Sequence, residues 1–134
     1  MTSRPPFIVS SGDLPERAHV YPQSEERLGP VRRVGKSAGL VRIGVNLQRL
    51  PPGTRSSWPH AEEDEEEFVY VIEGVVDAWI DGNLHRMVAG DFAAFYSILC
   101  CFLALPRDVA VNKLLQAGVS DSGAIRSRLV PDLK

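Results

Sequence analysis

The chain has 134 residues, of which 44% are hydrophobic and 24% are charged. This length suits one domain, and a formal net charge of -2 gives no reason to expect nucleic acid or an anionic membrane as a partner. No apolar run approaches the roughly 20 residues that a membrane-spanning helix needs. Cys100 and Cys101 are the only cysteines and are adjacent, a poor geometry for a disulfide, so we expect a reduced, cytoplasmic setting.

Residues 1–39 form an N-terminal arm rich in Pro, Gly and charge, which we expect to wrap a sheet or to lie on it. The first clear strand follows at residues 40–50, where apolar and polar residues alternate. This alternation predicts an antiparallel sheet with one face on the core, and the apolar face consists of Val41, Ile43, Val45 and Leu47.

Several short strands follow the first one. Residues 68–72 carry apolar side chains on both faces, which requires a second layer or a partner subunit and therefore suggests a homodimer. Asp81-Gly82-Asn83 and Ala89-Gly90-Asp91 are turn sequences between further strands. Strands and turns this closely spaced, from about residue 40 to residue 95, predict an all-β sandwich or barrel.

His60 and Glu62 are two residues apart, so both project from the same face if they lie in a strand. An imidazole beside a carboxylate is half of a metal site, and Glu67 at the start of the next strand could supply a third ligand. The alternatives are a solvated or structurally hydrogen-bonded His60 and a solvated Glu67. In either case we expect five of the six consecutive acids at residues 62–67 to be surface charges.

This spacing resembles the first signature of the cupin superfamily, a pattern of glycine, two histidines, glutamate and a second glycine. Gly53, His60, Glu67 and Gly74 keep the pattern, with Glu62 at the second histidine and one extra residue before His60. Downstream, Asp81-Gly82 and then Ala89-Gly90-Asp91-Phe92 are similar to the opening of the second signature, with Val88 at its proline.

The resemblance implies an all-β domain of the cupin type, a double-stranded β-helix or jelly-roll-like barrel. It also implies a divalent metal, either Mn, Fe, Ni or Zn, whose ligands here would be His60, Glu62 and Glu67. The second signature of the family supplies a further histidine ligand beyond its Gly-Asp. This chain has no histidine after Asp91, so the implied metal site is partial.

The sequence changes character at Tyr96. Residues 96–105 form a nearly continuous apolar run, which fits a buried strand or a helix, and Cys100 and Cys101 within it are expected to be inert thiols. A divergent C-terminus, a frameshift or a retained intron near Phe95 would each produce such a junction. We therefore predict three parts: the arm at 1–39, a cupin-like β domain at 40–117 that could be incomplete at its C-terminal end, and a weakly ordered tail at 118–134.

The function predicted is that of a small cupin-domain protein with a partial metal site, impaired catalysis and no assignable reaction. Two alternatives stay open: a metal-free cupin that binds a small molecule through apolar contacts, and a metal-dependent oxygenase or isomerase. His19 and His85 are expected to be surface residues. Trp58, Tyr70 and Trp79 are expected either to line a pocket or to belong to the core.

Overall fold

The computed structural model describes residues 3–62, 65–95, 101–104, 113–120 and 127–129. Within them, strands form two five-stranded sheets, with the orders β1-β2-β9-β4-β7 and β10-β3-β8-β5-β6, and every pairing is antiparallel. This confirms the predicted all-β barrel. The strands are β1 Val31–Arg32, β2 Ile43–Arg49, β3 His60–Glu62, β4 Glu65–Glu73, β5 Val75–Ile80, β6 Asn83–Val88, β7 Phe92–Phe95, β8 Cys101–Ala104, β9 Lys113–Ser120 and β10 Ser127–Leu129.

The hydrophobic core involves both sheets. Residues paired across an antiparallel ladder share a face, so the row of Gln48, Leu114 and Val71 marks the inner face of the first sheet. All three are buried. Val76 and Ala78 mark the inner face of the second sheet. The buried core cluster comprises Leu50, Val69, Val71, Val76, Ala78, Met87, Phe95 and Leu114.

The strand predicted at residues 40–50 is present as β2, but the expectation that its apolar face lies on the core is wrong. Gln48 points into the barrel, whereas Val45 is on the opposite face, beneath the short helix α1 (Val34–Ser37). The Gln48 amide can be buried because its Nε2 donates to the carbonyl oxygens of Gly29, at 2.8 Å, and Ser56, at 3.3 Å.

The turn predicted at Asp81-Gly82-Asn83 is confirmed as a hairpin that joins β5 to β6. Ile80 pairs directly with Asn83, which leaves Asp81 and Gly82 as the two loop residues. Both have positive φ, 46° and 83°, as the mirror-image turns of two-residue hairpins require. The Asp-Gly pair tolerates this conformation, so the local sequence determines the register of the hairpin.

Residues after Phe95 also contribute to the sheets. Part of the apolar run forms a strand, β8, while residues 96–100 and 105 lie outside the described residues. β9 lies between β2 and β4 in the middle of the first sheet and extends past residue 117. In the portion of the chain that the structure describes, no helix is long and apolar enough to span a membrane.

Candidate functional site

His60 opens β3 and faces the barrel interior. It pairs with Cys101 of β8, and Cys101 pairs with Ile80 of β5, so the three positions share one face of the second sheet. Ile80 packs against the hydrophobic core on that face. The ladder therefore places the half-buried His60 on the inner face of the second sheet, where a barrel ligand would bind.

One hydrogen bond defines the tautomer of His60. Its Nδ1 lies 2.8 Å from the backbone carbonyl oxygen of Trp58 and 3.4 Å from Oγ of Ser57. A carbonyl oxygen can only accept, so in the 2.8 Å contact Nδ1 carries the hydrogen and donates it. In the neutral ring the lone pair is then on Nε2. Histidines that bind metals commonly have this arrangement, since the second nitrogen donates to a carbonyl or carboxylate.

Two carboxylates face the interior from the first sheet. Glu67 pairs with the buried Phe95 and lies two residues before Val69, so it shares the inner face of β4. Glu65 lies two residues earlier on the same face and is half-buried, while Glu66 between them is exposed. The barrel thus presents one imidazole from one sheet and two carboxylates from the other.

Glu65 was missed by the sequence prediction, which assigned five of the six acids to the surface. Burial raises the pKa of Glu65 above its ordinary value, and electrostatic attraction to His60 offsets part of that rise. Glu65 and His60 therefore interact electrostatically from the inner faces of opposite sheets. The period-two alternation of β4 places Glu65 on the same face as Glu67, but alternation alone does not show that this end of the strand is half-buried.

The predicted metal ligands are therefore only partly located. His60 and Glu67 lie on inner faces of opposite sheets, and Glu62 occupies the last position of β3. Its side chain is outside the described set. Among the described side chains, no three of the His, Cys, Asp or Glu type lie close enough together to hold a metal ion. An imidazole and carboxylates are ligands that suit a hard divalent ion. His60, Glu65 and Glu67 alone, however, do not complete a metal site.

The loop before His60 is attached to the N-terminal arm by four residues, which we call the arm clamp: Tyr21, Glu26, Arg55 and Trp58. Glu26 accepts hydrogen bonds from Nε and Nη2 of Arg55, at 2.6 and 2.8 Å, and from Nε1 of Trp58 at 2.8 Å. Tyr21 stacks on Trp58 with ring centroids 4.3 Å apart. The arm clamp therefore holds Trp58, whose carbonyl oxygen accepts the hydrogen bond from His60 Nδ1.

Acid is expected to weaken the arm clamp. The hydrogen bond from Arg55 lowers the pKa of Glu26 below its ordinary value, burial opposes this, and the Trp58 hydrogen bond adds to it. A carboxylate with a lowered pKa stabilises the fold above its unfolded-state pKa, and this stabilisation is lost as the pH falls through the folded-state pKa.

We therefore expect Glu26→Gln to reduce the free energy of unfolding at neutral pH by about 1 kcal/mol, a discounted value because the pair is partly exposed. We also expect it to flatten the fall in stability below about pH 5. Urea denaturation across this pH range measures both effects, with the exposed neighbour substituted in Glu25→Gln as the control. An unchanged pH dependence in Glu26→Gln would contradict this account.

The remaining candidates lie away from the barrel interior or belong to the clamp. His19 and His85 are exposed, as expected, and His19 contacts Tyr21 edge-on at 4.7 Å. Trp58 is part of the arm clamp, and Tyr70 is exposed on the outer face of β4. Trp79 is half-buried in β5. Cys100 and the Cys101 side chain lie outside the described residues.

Comparison with known proteins agrees with the fold and with the signature. Residues 46–98 match the family model of the cupin domain, a range that includes His60, Glu62 and Glu67. The jelly-roll arrangement of the two sheets is also that of cupin-superfamily structures. The chain therefore carries a match to the cupin domain over residues 46–98, within a fold that resembles cupin-superfamily structures. No curated protein matches its sequence.

Solved structures resemble this chain over most of its length. A sugar phosphate isomerase of the cupin superfamily from Silicibacter pomeroyi shares 28% identity, with 91% of this chain and 92% of that one covered and a TM-score of 0.75. A putative sugar phosphate isomerase from Acidithiobacillus ferrooxidans has 16% identity, 96% coverage of both chains and a TM-score of 0.77. The polyketide cyclase RemF from Streptomyces resistomycificus has 16% identity, covers 98% and 89%, and has a TM-score of 0.74. The last two establish the fold alone.

Proposed function

We propose that this cupin binds a small hydroxylated molecule in its barrel, beside a divalent metal ion held by His60, Glu62 and Glu67. The observation that carries the proposal is the hydrogen bond from His60 Nδ1 to the Trp58 carbonyl oxygen. It fixes the ring and places the lone pair of the neutral imidazole on Nε2, the nitrogen through which His60 would bind a metal ion. A donor set rich in oxygen favours a hard ion such as Mn²⁺ over the other candidates Fe, Ni and Zn.

The ligand class is proposed from the resemblance to the Silicibacter pomeroyi protein, a sugar phosphate isomerase at 28% identity over nearly the whole chain. A sugar phosphate is rich in hydroxyl oxygens, which suits the imidazole and carboxylates of the barrel. We propose binding as the main role. With a single imidazole and no histidine after Asp91, a bound metal would be held weakly, so metal-dependent catalysis is expected to be slight.

Isomerisation is the second candidate, and Glu65 favours it. Burial raises the pKa of this carboxyl group, which brings it closer to the value a proton-transferring side chain needs near neutral pH. Isomerisation of a sugar moves a proton between neighbouring carbons, and Glu65 could accept and return that proton. A bound metal would supply Lewis-acid polarisation of the sugar carbonyl.

Metal analysis of protein purified without chelator tests the proposal. We expect the parent chain to retain a divalent metal, and His60→Ala to lose it because the only inward imidazole is removed. His85→Ala is the matched control, since His85 is exposed on β6. Isothermal titration with Mn²⁺ then gives the affinities, and a decrease of at least about 10-fold is expected for His60→Ala only.

The absence of metal from both the parent chain and His60→Ala, together with no measurable Mn²⁺ binding, would overturn the metal proposal. It would favour the metal-free alternative, in which apolar contacts hold the ligand. Titration with a simple sugar phosphate in the absence of metal separates these two functions.

We also propose a cytoplasmic setting, which rests on the adjacent Cys100 and Cys101.

We further propose that the protein is a homodimer through the outer face of the first sheet. Phe68 and Phe92 stack there with ring centroids 5.1 Å apart, and Phe92 is 60% exposed beside the exposed Tyr70 and Ile72. A second copy would cover this apolar row.

Sedimentation velocity should give a dimer for the parent chain and a monomer for Phe92→Glu. Leu84→Glu, at an exposed leucine of the other sheet, should stay dimeric. A parent chain that is monomeric at high concentration would contradict the proposal.

A further inference from the structure

Residues of the N-terminal arm bind both the side chain and the main chain of Trp58. Nε1 of Trp58 donates to Glu26 at 2.8 Å, and Tyr21 stacks on the Trp58 ring at an interplanar angle of 25°. The Trp58 backbone N–H lies 3.4 Å from the Tyr21 hydroxyl oxygen, which can accept its hydrogen. Both the side chain and the main chain of Trp58 are thus fixed by residues at positions 21 and 26, which lie outside the matched cupin region.

Backbone contacts hold the arm in the same place. The N–H of Gly29 donates to the carbonyl oxygen of Arg55 at 3.0 Å, and Gln48 donates to the Gly29 carbonyl oxygen from inside the barrel. Leu28 between the clamp and these bonds is buried. The arm is therefore attached to the loop before β3 by side-chain and by main-chain interactions, and it has little freedom to shift relative to His60.

We propose that Glu26 is a positioning residue for His60, acting through Trp58. Glu26 holds the Trp58 indole and Arg55, and this keeps the Trp58 carbonyl oxygen 2.8 Å from His60 Nδ1. The carbonyl then selects the tautomer that has its lone pair on Nε2. Glu26, in the N-terminal arm, thereby determines which ring nitrogen of His60 carries the hydrogen, and it does so through Trp58 without touching the site.

Removal of Glu26 is expected to change the His60 tautomer and to lower the metal affinity. Only the second effect rests on the proposed function. Without Glu26, the Trp58 carbonyl loses its fixed position, so the His60 ring should sample the other neutral tautomer. Metal affinity should fall as well. Loss of a direct partner of a metal-ligating histidine typically costs about 10- to 100-fold in affinity, so a change one contact further away should cost about 3- to 10-fold.

The test compares three variants of the full chain. Glu26→Ala removes the positioning residue, and Trp58→Phe removes the indole N–H while it keeps a ring against Tyr21. Glu16→Ala is the matched control, because Glu16 also lies in the arm and pairs with an arginine, Arg49, at 2.9 Å. Within the described part of the chain its ion pairs are with Arg49 and Arg32, which are not clamp residues. Urea denaturation verifies that the variants fold and compares their loss of stability.

The informative measurement is the nitrogen chemical shifts of His60 in a long-range ¹H–¹⁵N NMR spectrum, which report the tautomer directly. We expect the parent chain and Glu16→Ala to show the Nδ1–H form, and Glu26→Ala and Trp58→Phe to show a mixture with the Nε2–H form. The Kd for Mn²⁺ should rise in the same two variants only.

His60 shifts in Glu26→Ala and Trp58→Phe that equal those in Glu16→Ala would overturn the positioning role, whatever the metal affinity. If the parent chain binds no Mn²⁺, the proposed metal function fails, and the tautomer comparison decides on Glu26 alone. If Glu26→Ala does not fold, the comparison of Trp58→Phe with Glu16→Ala decides it.

Discussion

Leu50→Ala is expected to reduce the free energy of unfolding by about 3 kcal/mol, within the usual range for a buried leucine. Leu50 is fully buried, directly after β2, and belongs to the core cluster. The cavity left behind cannot close easily, because the neighbouring Gly29 backbone is fixed by hydrogen bonds to Gln48 and Arg55. Urea denaturation followed by circular dichroism measures the change.

Leu84→Ala is the matched control, since the Leu84 side chain is 67% exposed on β6. It should change the stability by less than about 0.5 kcal/mol. A loss in Leu50→Ala no larger than in Leu84→Ala would mean that the end of β2 is not part of the barrel core, and the assignment of the inner face would be wrong.

Gly29→Ala is expected to cost about 2 kcal/mol, within the range observed for overpacking. A methyl group on Gly29 would lie 2.7 Å from the Arg49 carbonyl oxygen and would also overlap the Leu50 side chain. The Arg49 carbonyl oxygen belongs to the backbone, which cannot rotate away as a flexible side chain can. The arm would have to move outwards, and the hydrogen bond from the Gly29 N–H to Arg55 would lengthen.

Gly44→Ala controls for the general effect of replacing a glycine, because no described atom lies within 4 Å of a methyl group built there. It should leave the stability nearly unchanged. Limited proteolysis of the arm gives a second readout, with faster cleavage expected in Gly29→Ala only. Equal stability and equal cleavage in the two variants would show that the arm is not packed as described.

The barrel and the position of His60 could be predicted because they depend on local patterns. Positive-φ turns such as Asp81-Gly82 and the period-two alternation of β4 are encoded by neighbouring residues. The spacing from His60 to Gly74 similarly predicted the match to the cupin domain. None of these features needs knowledge of distant parts of the chain.

The facing of β2 and the environment of Glu65 could not be read in the same way. Hydrophobicity placed Val45 on the core, whereas α1 covers Val45 and the arm supplies partners that allow Gln48 to be buried. Glu65 is likewise half-buried, and it interacts electrostatically with His60 of the opposite sheet. Such features arise from contacts between segments far apart in sequence, which alternation cannot reveal.

The junction near Phe95 also remains a hypothesis. β9 lies at the centre of the first sheet, where Leu114 pairs with Val71 in the core, so residues after the junction take part in the barrel. Sequencing the transcript across the Phe95 codon tests whether the reading frame continues into a Gly-rich turn and a histidine. Such a continuation would make this chain a shortened relative of a more complete cupin.

Pulsed electron paramagnetic resonance of the Mn²⁺-loaded protein tests the central claim most directly, because it detects nitrogen nuclei bound to the ion. We predict echo modulation from one imidazole nitrogen in the parent chain and in the exposed-histidine control His85→Gln, and its loss in His60→Gln. Absence of nitrogen modulation in the parent chain, or its persistence in His60→Gln, would contradict a metal site at His60.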